Sequence, residues 1–284
     1  MSSVVTVDNA SSDGSAAVAR EAGADAVIEN TENLGFARAV NQGLQHGKAP
    51  QILLLNPDAR VRAAELAALS ATLAGSDGAV VVAPLLRDER GIVQAGAGRF
   101  ATVNRRVGLC LPLVGRAPRF APQYLLSPAE LASPQPRDVD YVYGAAMLIE
   151  RAFLTGAGGL DERFFLFAED EDICRQAARA GLRVLLDTGV VALHEGGGSY
   201  TDAVSIEAQR LFSTYRLLHK WRGAAVARAY HTGVAAAFRL RGFAASATPG
   251  RDEGSIDGVL AAFSEAVMSG LDPLLDRARA PQTR

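Results

Sequence analysis

Four carboxylates stand in unbroken succession in FFLFAEDEDICRQAARAGLRV, the stretch from Phe164 to Val184. Glu169, Asp170, Glu171 and Asp172 repel one another, and they follow directly on one of the most apolar runs in the chain. On a helix beginning near Ala168, Glu169 and Asp172 share a face, while Asp170 and Glu171 point elsewhere. Two chemistries fit. Acidic residues are favoured in a first helical turn by the backbone N–H groups and the helix dipole. Alternatively, FFLF anchors the helix start against a core and turns at least one carboxylate towards a crevice. Partial desolvation and neighbouring negative charge then raise its pKa into the range of a general base. Capping and catalysis stand level on these residues alone.

His194 and Asp58 add a second chemistry. VVALHEGGGS reads as a strand that delivers His194 into a glycine-rich turn, and LLLNPDA ends a strand just before Asp58. A lone histidine after a strand is commonly structural. An Asp and a His converging at one sheet edge, however, suit a hard-to-borderline divalent cation such as Mg2+ or Mn2+. Two protein ligands leave positions open for the phosphate oxygens of a nucleotide substrate.

The elements that must position these groups follow from hydrophobic periodicity. SVVTVD, DAVIEN, QILLLN and AVVVAP are short β-branched or continuous apolar runs, read as strands. GSAAVAREAG, LGFARAVNQGLQHG and AAELAALSATLAG lie between them and read as helices, with Gly23 and Gly47 as stops. Such alternation predicts an α/β fold with a mostly parallel sheet covered on both faces. Ligands of such sheets bind beyond the carboxyl ends of the strands. The first strand ends in DNASSDGS (Asp8 to Ser15) and the third in LNPDA (Asn56 to Ala59). Both are polar turns able to meet phosphate, ribose or a cation; DNASSDGS reads equally as an Asx turn and helix cap. Regular structure resumes in VDYVYGAAMLIE as a strand around Tyr141 to Ile149, and RVLLD and GVVALHEG read as a strand pair. Leu111 to Asp140 holds six of the twelve prolines, which predicts a loop.

Residues 1–200 therefore form one domain and residues 201–284 a helical tail. Between Thr201 and Phe243 the tail carries seven Lys and Arg, from Arg210 to Arg241, against Asp202 and Glu207. Leu211, Tyr215, Leu218, Trp221 and Phe238 interleave at helical spacing. Such a basic amphipathic segment either lies on an anionic membrane surface or packs on the main domain with a solvated basic face. A further helix is expected around Ile256 to Ser269.

Bulk composition excludes other classes. A net charge of -2 over 284 residues gives no protein-wide nucleic-acid footprint. Two cysteines, Cys110 and Cys174, lie far apart, so no disulfide framework is expected and a reducing compartment is. MSSVVTVDNA is not a signal peptide, and no apolar run is long enough to span a bilayer. The expected location is cytoplasmic, with residues 201–243 available for peripheral contact at the inner face of the cell membrane.

In order along the chain, VDNASSDGS, NLGFARAVNQG, LLLNPDA, YGAAMLIERAF, GGLDERFFLFAEDEDICRQAARAG and LHEGGGS resemble the inverting family 2 glycosyltransferases. Within them the likeness is to the bacterial rhamnosyltransferase-like branch, and it covers about Val4 to Ser199. The resemblance implies a Rossmann-like fold of the GT-A type. It also implies a nucleotide-diphosphate-sugar donor, a glycan or lipid-linked acceptor, and Mg2+ or Mn2+ as cofactor. Transferred onto these positions, Asp8 and Asn9 hold the donor's base and ribose with Asp13 close by. Asn33 and Gly35 line the nucleotide pocket. Asn56 and Asp58 stand where the family has a D-x-D metal motif, here N-P-D, which leaves Asp58 as the ligand. His194 matches the late metal-binding histidine. Asp170 matches the catalytic base, with Glu169 as the alternative. Gly144 and Ala145 form a wall of small residues beside the donor sugar. Cys174 is expected to be a packing residue.

Family members begin with a further strand and helix that help to seat the base, whereas this chain begins at the equivalent of their second strand. A bare sheet edge, poor solubility or weak activity is therefore expected. Two other functional classes remain open on the sequence: nucleotidyl or phosphosugar transfer, and a non-catalytic nucleotide-sugar-binding protein. The first calls for a glycine- and basic-rich phosphate loop, which DNASSDGS is not.

Overall fold

The computed structural model describes residues 3–94, 96–111, 133–196, 202–246 and 253–274. The proline-rich loop expected between Leu111 and Asp140 lies largely outside them, as does the glycine-rich turn after Gly196. The chain divides into two compact units. One comprises residues 1–100, 124–163 and 169–199, the other 101–123, 164–168 and 200–284. The simple boundary at residue 200 thus gains two insertions: segments around Val103 and Phe164 belong to the helical unit.

In chain order the elements are β1 (Val5–Asp8), α1 (Ser15–Glu21), β2 (Ala26–Glu29), α2 (Phe36–Leu44), β3 (Gln51–Leu55), β4 (Ala59–Arg60) and α3 (Ala63–Gly75). There follow β5 (Ala79–Arg87), β6 (Ala97–Gly98), α4 (Val103–Cys110), β7 (Pro136–Asp138), β8 (Tyr141–Val142), β9 (Ala146–Glu150) and α5 (Arg151–Gly156). The last are α6 (Glu169–Arg179), β10 (Arg183–His194), α7 (Ala203–Arg222), α8 (Ala224–Ser246) and α9 (Glu253–Ser269).

The central sheet of the first unit has the order β3-β9-β5-β10-β4, with β7 also on β10. β10 runs parallel to β5, and β9 runs antiparallel to both β3 and β5. Among the long strands, β3, β5 and β10 therefore point one way and β9 against them: the sheet is mixed and mostly parallel. Every residue of β5 from Ala79 to Leu86 is buried, as the continuous apolar run AVVVAPLL requires of a strand covered on both faces. α2 buries Ala37 and packs the half-buried Phe36, Val40 and Leu44 against the cluster that holds Val81, Met147 and Ile149. α3 buries Leu69 and Leu73 with Val82, Leu148 and Leu185 in a separate cluster.

The expected strand pair at the end of this unit is one strand. β10 pairs with β5 both before and after Asp187, and its register shifts between Asp187 and Val191. The polar triplet Asp187, Thr188 and Gly189 is a bulge rather than a turn. Asp187 accepts from the Thr72 hydroxyl (2.6 Å) and the Gly189 N–H (3.0 Å), so the buried carboxylate is satisfied inside the sheet. The strand expected around Tyr141 to Ile149 is likewise two short strands, β8 and β9, broken at Tyr143 to Ala145.

β1 and β2 pair in parallel with each other as a separate two-stranded sheet. Among the described residues, no strand pairs with the remaining edge of β1 or of β3. Both are less buried than β5, and Val4 (59 % exposed) and Leu55 (42 % exposed) open to solvent.

The helical unit has its own core. Phe164, Leu211, Phe212, Leu218, Tyr230, Phe238 and Phe263 are buried in one cluster contributed by α7, α8, α9 and the segment before α6. Most of the large apolar residues described between 202 and 241 therefore face inward, and Gly223, at φ 84, breaks the segment into two helices. Tyr230 sits edge-on to Phe263 at 6.1 Å, a favoured ring arrangement. No helix among the described residues is long and apolar enough to cross a membrane.

Candidate active site

The four carboxylates resolve into four different environments. Glu171 is buried and bonded to Arg175 (2.8 Å), whose guanidinium lies 4.4 Å from the centre of the Phe100 ring. Asp172 is buried and accepts from the Gln176 side chain at 3.1 Å. These two hold the helix. Glu171 faces inward together with its i+4 partner Arg175, whose guanidinium packs on Phe100.

Asp170 is half-buried. Its Oδ1 accepts from the Glu171 N–H (2.7 Å) and its Oδ2 from the Gly144 N–H (3.2 Å). Each carboxylate oxygen thus accepts from a backbone N–H while the side chain keeps partial access to solvent, a setting in which a carboxylate can act as a positioned base. Glu169 is different. It is buried, and its Oε2 has no hydrogen-bond partner among the described residues. Burial above all, then the charge of Asp170, pushes its carboxyl well above the ordinary value of 4.5, which favours the protonated form. Phe167 and Ala168, just ahead of it, both take left-handed backbone (φ 67 and 71) although neither is glycine. Each such residue costs about 1–3 kcal/mol, and strain of this kind concentrates at functional sites. Cys174 is fully buried and its thiol is pushed far up by desolvation, which suits the packing role expected of it.

Asp58 and His194 come together as the strand ends predicted. β4 lies antiparallel to the end of β10 with His194 opposite Ala59, which brings His194 Nε2 to 3.4 Å from Asp58 Oδ1. The Glu195 N–H donates to the Asp58 carbonyl at 2.9 Å and fixes this corner. A residue that sequence reasoning missed completes it. Gln94, returned beside Leu86 by the turn after β5, donates from Nε2 to the His194 carbonyl (2.8 Å). Its Oε1 is thereby aimed at His194 Nδ1, 2.7 Å away. An amide oxygen only accepts, so Nδ1 donates to it, and in the neutral ring the lone pair then lies on Nε2. That lone pair faces a carboxylate oxygen. Two acceptors hold this geometry best with a cation between them. No group of three or more His, Cys, Asp or Glu side chains suited to a metal occurs among the described residues. Asp58 and His194 thus fit a divalent ion that takes its remaining ligands from substrate and water.

The polar loops after β1 and β2 are tied to each other. Asn9 Nδ2 donates to the Gly35 carbonyl (3.2 Å), and Asn33 Oδ1 accepts from the Gly35 N–H (2.9 Å). Gly35, at φ 85, makes the turn into α2 that only glycine takes cheaply. Asn30 links Asn9 (2.8 Å) to Gln42 (2.9 Å). Asp8 is buried and accepts from the Ser11 N–H at 3.1 Å, while exposed Asp13 caps the start of α1 through the Ser15 N–H and hydroxyl. Those hydrogen bonds lower the Asp13 pKa.

Short links join the three groups. A Cβ on Gly144 would sit 3.7 Å from both the Asp170 Cβ and the Phe36 ring, so Gly144 lies between Asp170 and the residue that follows Gly35. Ala145, buried beside it, accepts through its carbonyl from the Asn56 N–H (2.9 Å), two residues before Asp58. A chain of contacts thus runs from Asn9 and Asn33 through Gly35, Phe36 and Gly144 to Asp170, and a second from Ala145 through Asn56 to the turn that holds Asp58 beside His194. Asp13 is the member drawn off into local capping.

Residues 3–109 match the family model described as Glycosyl transferase family 2. The N-acetylglucosaminyl-diphospho-decaprenol L-rhamnosyltransferase of Mycobacterium tuberculosis is 30 % identical over 230 residues, 76 % of this chain and 74 % of that protein. The low-salt glycan biosynthesis hexosyltransferase Agl10 of Haloferax volcanii is 24 % identical over 59 % of this chain and 50 % of its own length. Among solved structures, the mannosyltransferase PcManGT of Pyrobaculum calidifontis, with GDP-Man and Mn2+, aligns at a TM-score of 0.51 and 19 % identity. That alignment spans 97 % of this chain and 73 % of the other. GalNAc-T7, with UDP, GalNAc and Mn2+, aligns at a TM-score of 0.52 and 16 % identity over 76 % of this chain and 42 % of its own. The mixed sheet is thus of the GT-A type, and the chain belongs to glycosyl transferase family 2 as a rhamnosyltransferase-like glycosyltransferase.

Proposed function

We propose that the protein transfers a sugar, rhamnose in the first instance, from a nucleotide-diphosphate donor to a lipid-linked glycan with inversion at the anomeric carbon. Support comes from the relative named for L-rhamnosyl transfer onto N-acetylglucosaminyl-diphospho-decaprenol and from the fold neighbours solved with nucleotide sugars or nucleotides and Mn2+. Asp8, Asn9, Asn33 and Gly35 hold the nucleoside, with Asp13 acting through the loop it caps. Gly144 and Ala145 leave room for the sugar. Asp170 takes the proton from the acceptor hydroxyl as that oxygen bonds to the anomeric carbon. The bond to the diphosphate oxygen breaks at the same time, and its electron pair leaves on the diphosphate. Glu169 stays the alternative base, although its burial opposes the ionised form that a base needs.

Asp58 and His194 are the residues that would hold Mg2+ or Mn2+, which when bound neutralises charge on the leaving diphosphate. The observation that carries the proposal is the pairing of Asp170 with the Gly144 N–H at the sheet end that also gathers the Asp58–His194 corner.

Two measurements test this. In a thermal-shift screen of nucleotide sugars with and without Mn2+ or Mg2+, a deoxythymidine-diphosphate rhamnose donor is expected to stabilise the protein most, and more so with metal. Asp170→Asn is expected to keep that shift and to lose transfer by about 100- to 10,000-fold. Transfer by the variant at the wild-type rate removes Asp170 as the base.

A further inference from the structure

Charge is distributed unevenly in this chain. Although the net charge is only -2, no Asp or Glu occurs from Ala208 to Arg251. The acid-free run covers most of α7 and all of α8. Arg216, in the middle of α7, is engaged with Asp272 at 2.6 Å. At the end of α7, His219, Lys220 and Arg222 are exposed, and Arg222 has no carboxylate partner among the described residues.

α8 buries Ala227, Tyr230, Val234, Ala237 and Phe238 in the core of the helical unit. Its outward stripe follows at helical spacing: Ala225, Arg228, Ala229, Thr232, Ala236, Arg239 and Leu240 are all exposed. Between the two arginines lie only alanines and a threonine, so nothing long hides the cations from a flat surface. Arg228 and Arg239 also lack carboxylate partners among the described residues. Leu240 is 56 % exposed beside Arg239 and Arg241. The neighbouring helix shows that this is a property of one face. On α9 the exposed positions include Asp257 and Glu265, and α9 lacks any Lys or Arg.

We infer that the outward face of α8, with the last turn of α7, is an electrostatic docking surface for an anionic phospholipid bilayer. A smooth cationic stripe with one exposed leucine matches a negatively charged headgroup plane. The apolar side of α8 is already committed to the protein core, so the contact is adsorption through charge rather than insertion of the helix. The inference is independent of which sugar or nucleotide the site accepts.

Sedimentation of the full chain with vesicles tests it without any transfer assay. Binding to phosphatidylglycerol-containing vesicles is expected, with none to pure phosphatidylcholine, and it should vanish in high salt, where screening reaches a few ångströms. Each cation near such a surface contributes roughly fivefold to partitioning, so Arg228→Gln with Arg239→Gln should weaken binding by about 25-fold. Arg20→Gln with Arg90→Gln, both in the sheet unit, should leave it unchanged. Equal weakening by both pairs, or wild-type binding by the first, overturns the assignment. So does salt-sensitive capture by a nucleic acid oligomer with no vesicle binding, which would give the face to a different partner. Because donor thermal shift is measured separately, failure here and failure of the transferase reading are distinguishable.

Discussion

Removing the Gln94 side chain should weaken metal binding although Gln94 touches no metal. Gln94→Leu deletes two hydrogen bonds, to the His194 carbonyl (2.8 Å) and to Nδ1 (2.7 Å). Each is worth about 1 kcal/mol net. A combined loss of about 2 kcal/mol corresponds to roughly 30-fold in affinity, inside the 10- to 100-fold range usual for groups that orient a metal ligand. The chemistry of the loss is specific: without an acceptor at Nδ1, the ring is free to move its proton to Nε2 and to rotate away from Asp58. Gln94→Glu restores an acceptor for Nδ1–H but cannot donate to the His194 carbonyl, so it should stay within about 5-fold of wild type. The assay is Mn2+ titration by calorimetry or electron paramagnetic resonance, with nucleoside diphosphate present and circular dichroism as a control for folding. Wild-type Mn2+ affinity in folded Gln94→Leu, or equal losses in the leucine and glutamate variants, refutes the tautomer argument.

Three other perturbations probe different parts of the site. A methyl on Gly144 would meet Asp170 and the Phe36 ring at ordinary contact distance, so Gly144→Ala should keep transfer within a few-fold. Gly144→Leu should displace Asp170 and cost on the order of 100-fold in kcat. Arg175→Met leaves Glu171 charged and buried, at a cost of about 3–5 kcal/mol, seen as a fall in Tm on the order of 10 °C. Pairing it with Glu171→Leu should recover most of that fall. Glu169 contributes to pH dependence with a definite sign. Its carboxyl is raised in the folded state, so the folded chain holds a proton that the unfolded chain releases above 4.5. Stability should therefore decline as pH rises from there towards the folded value, and Glu169→Gln should flatten the decline in Tm scans across pH. An unchanged slope in that variant shows that Glu169 is ionised in the native protein.

Much of the first unit was legible because its strands and helices differ in period and each ends on turn residues. Strand direction was not. The apolar run AMLI of β9 reads like any strand buried on both faces, and burial is indifferent to whether a neighbour runs with it or against it. The break at Asp187–Gly189 carries turn residues, yet Thr72 and Gly189 satisfy the carboxylate within the sheet, and the strand continues. At the site, Asp58 and His194 were visible as strand ends. Gln94 was not, since its role depends wholly on two contacts 100 residues away in sequence. The acidic run was ambiguous for the same reason: only Phe100, Gly144 and the burial of each side chain separate Asp170 from the structural pair of Glu171 and Arg175.

Among the described residues β1 pairs only with β2 and β3 at the sheet edge only with β9, so one side of each strand has no strand partner for its amides and carbonyls. Deuterium should therefore enter β1 and β3 early while the amides of β5, enclosed by β9 and β10, resist until the whole unit opens. Those half-solvated strands are also where chains at high concentration will recruit one another into ladders, so turbidity should grow with protein concentration and be suppressed by a short peptide that occupies the same backbone groups.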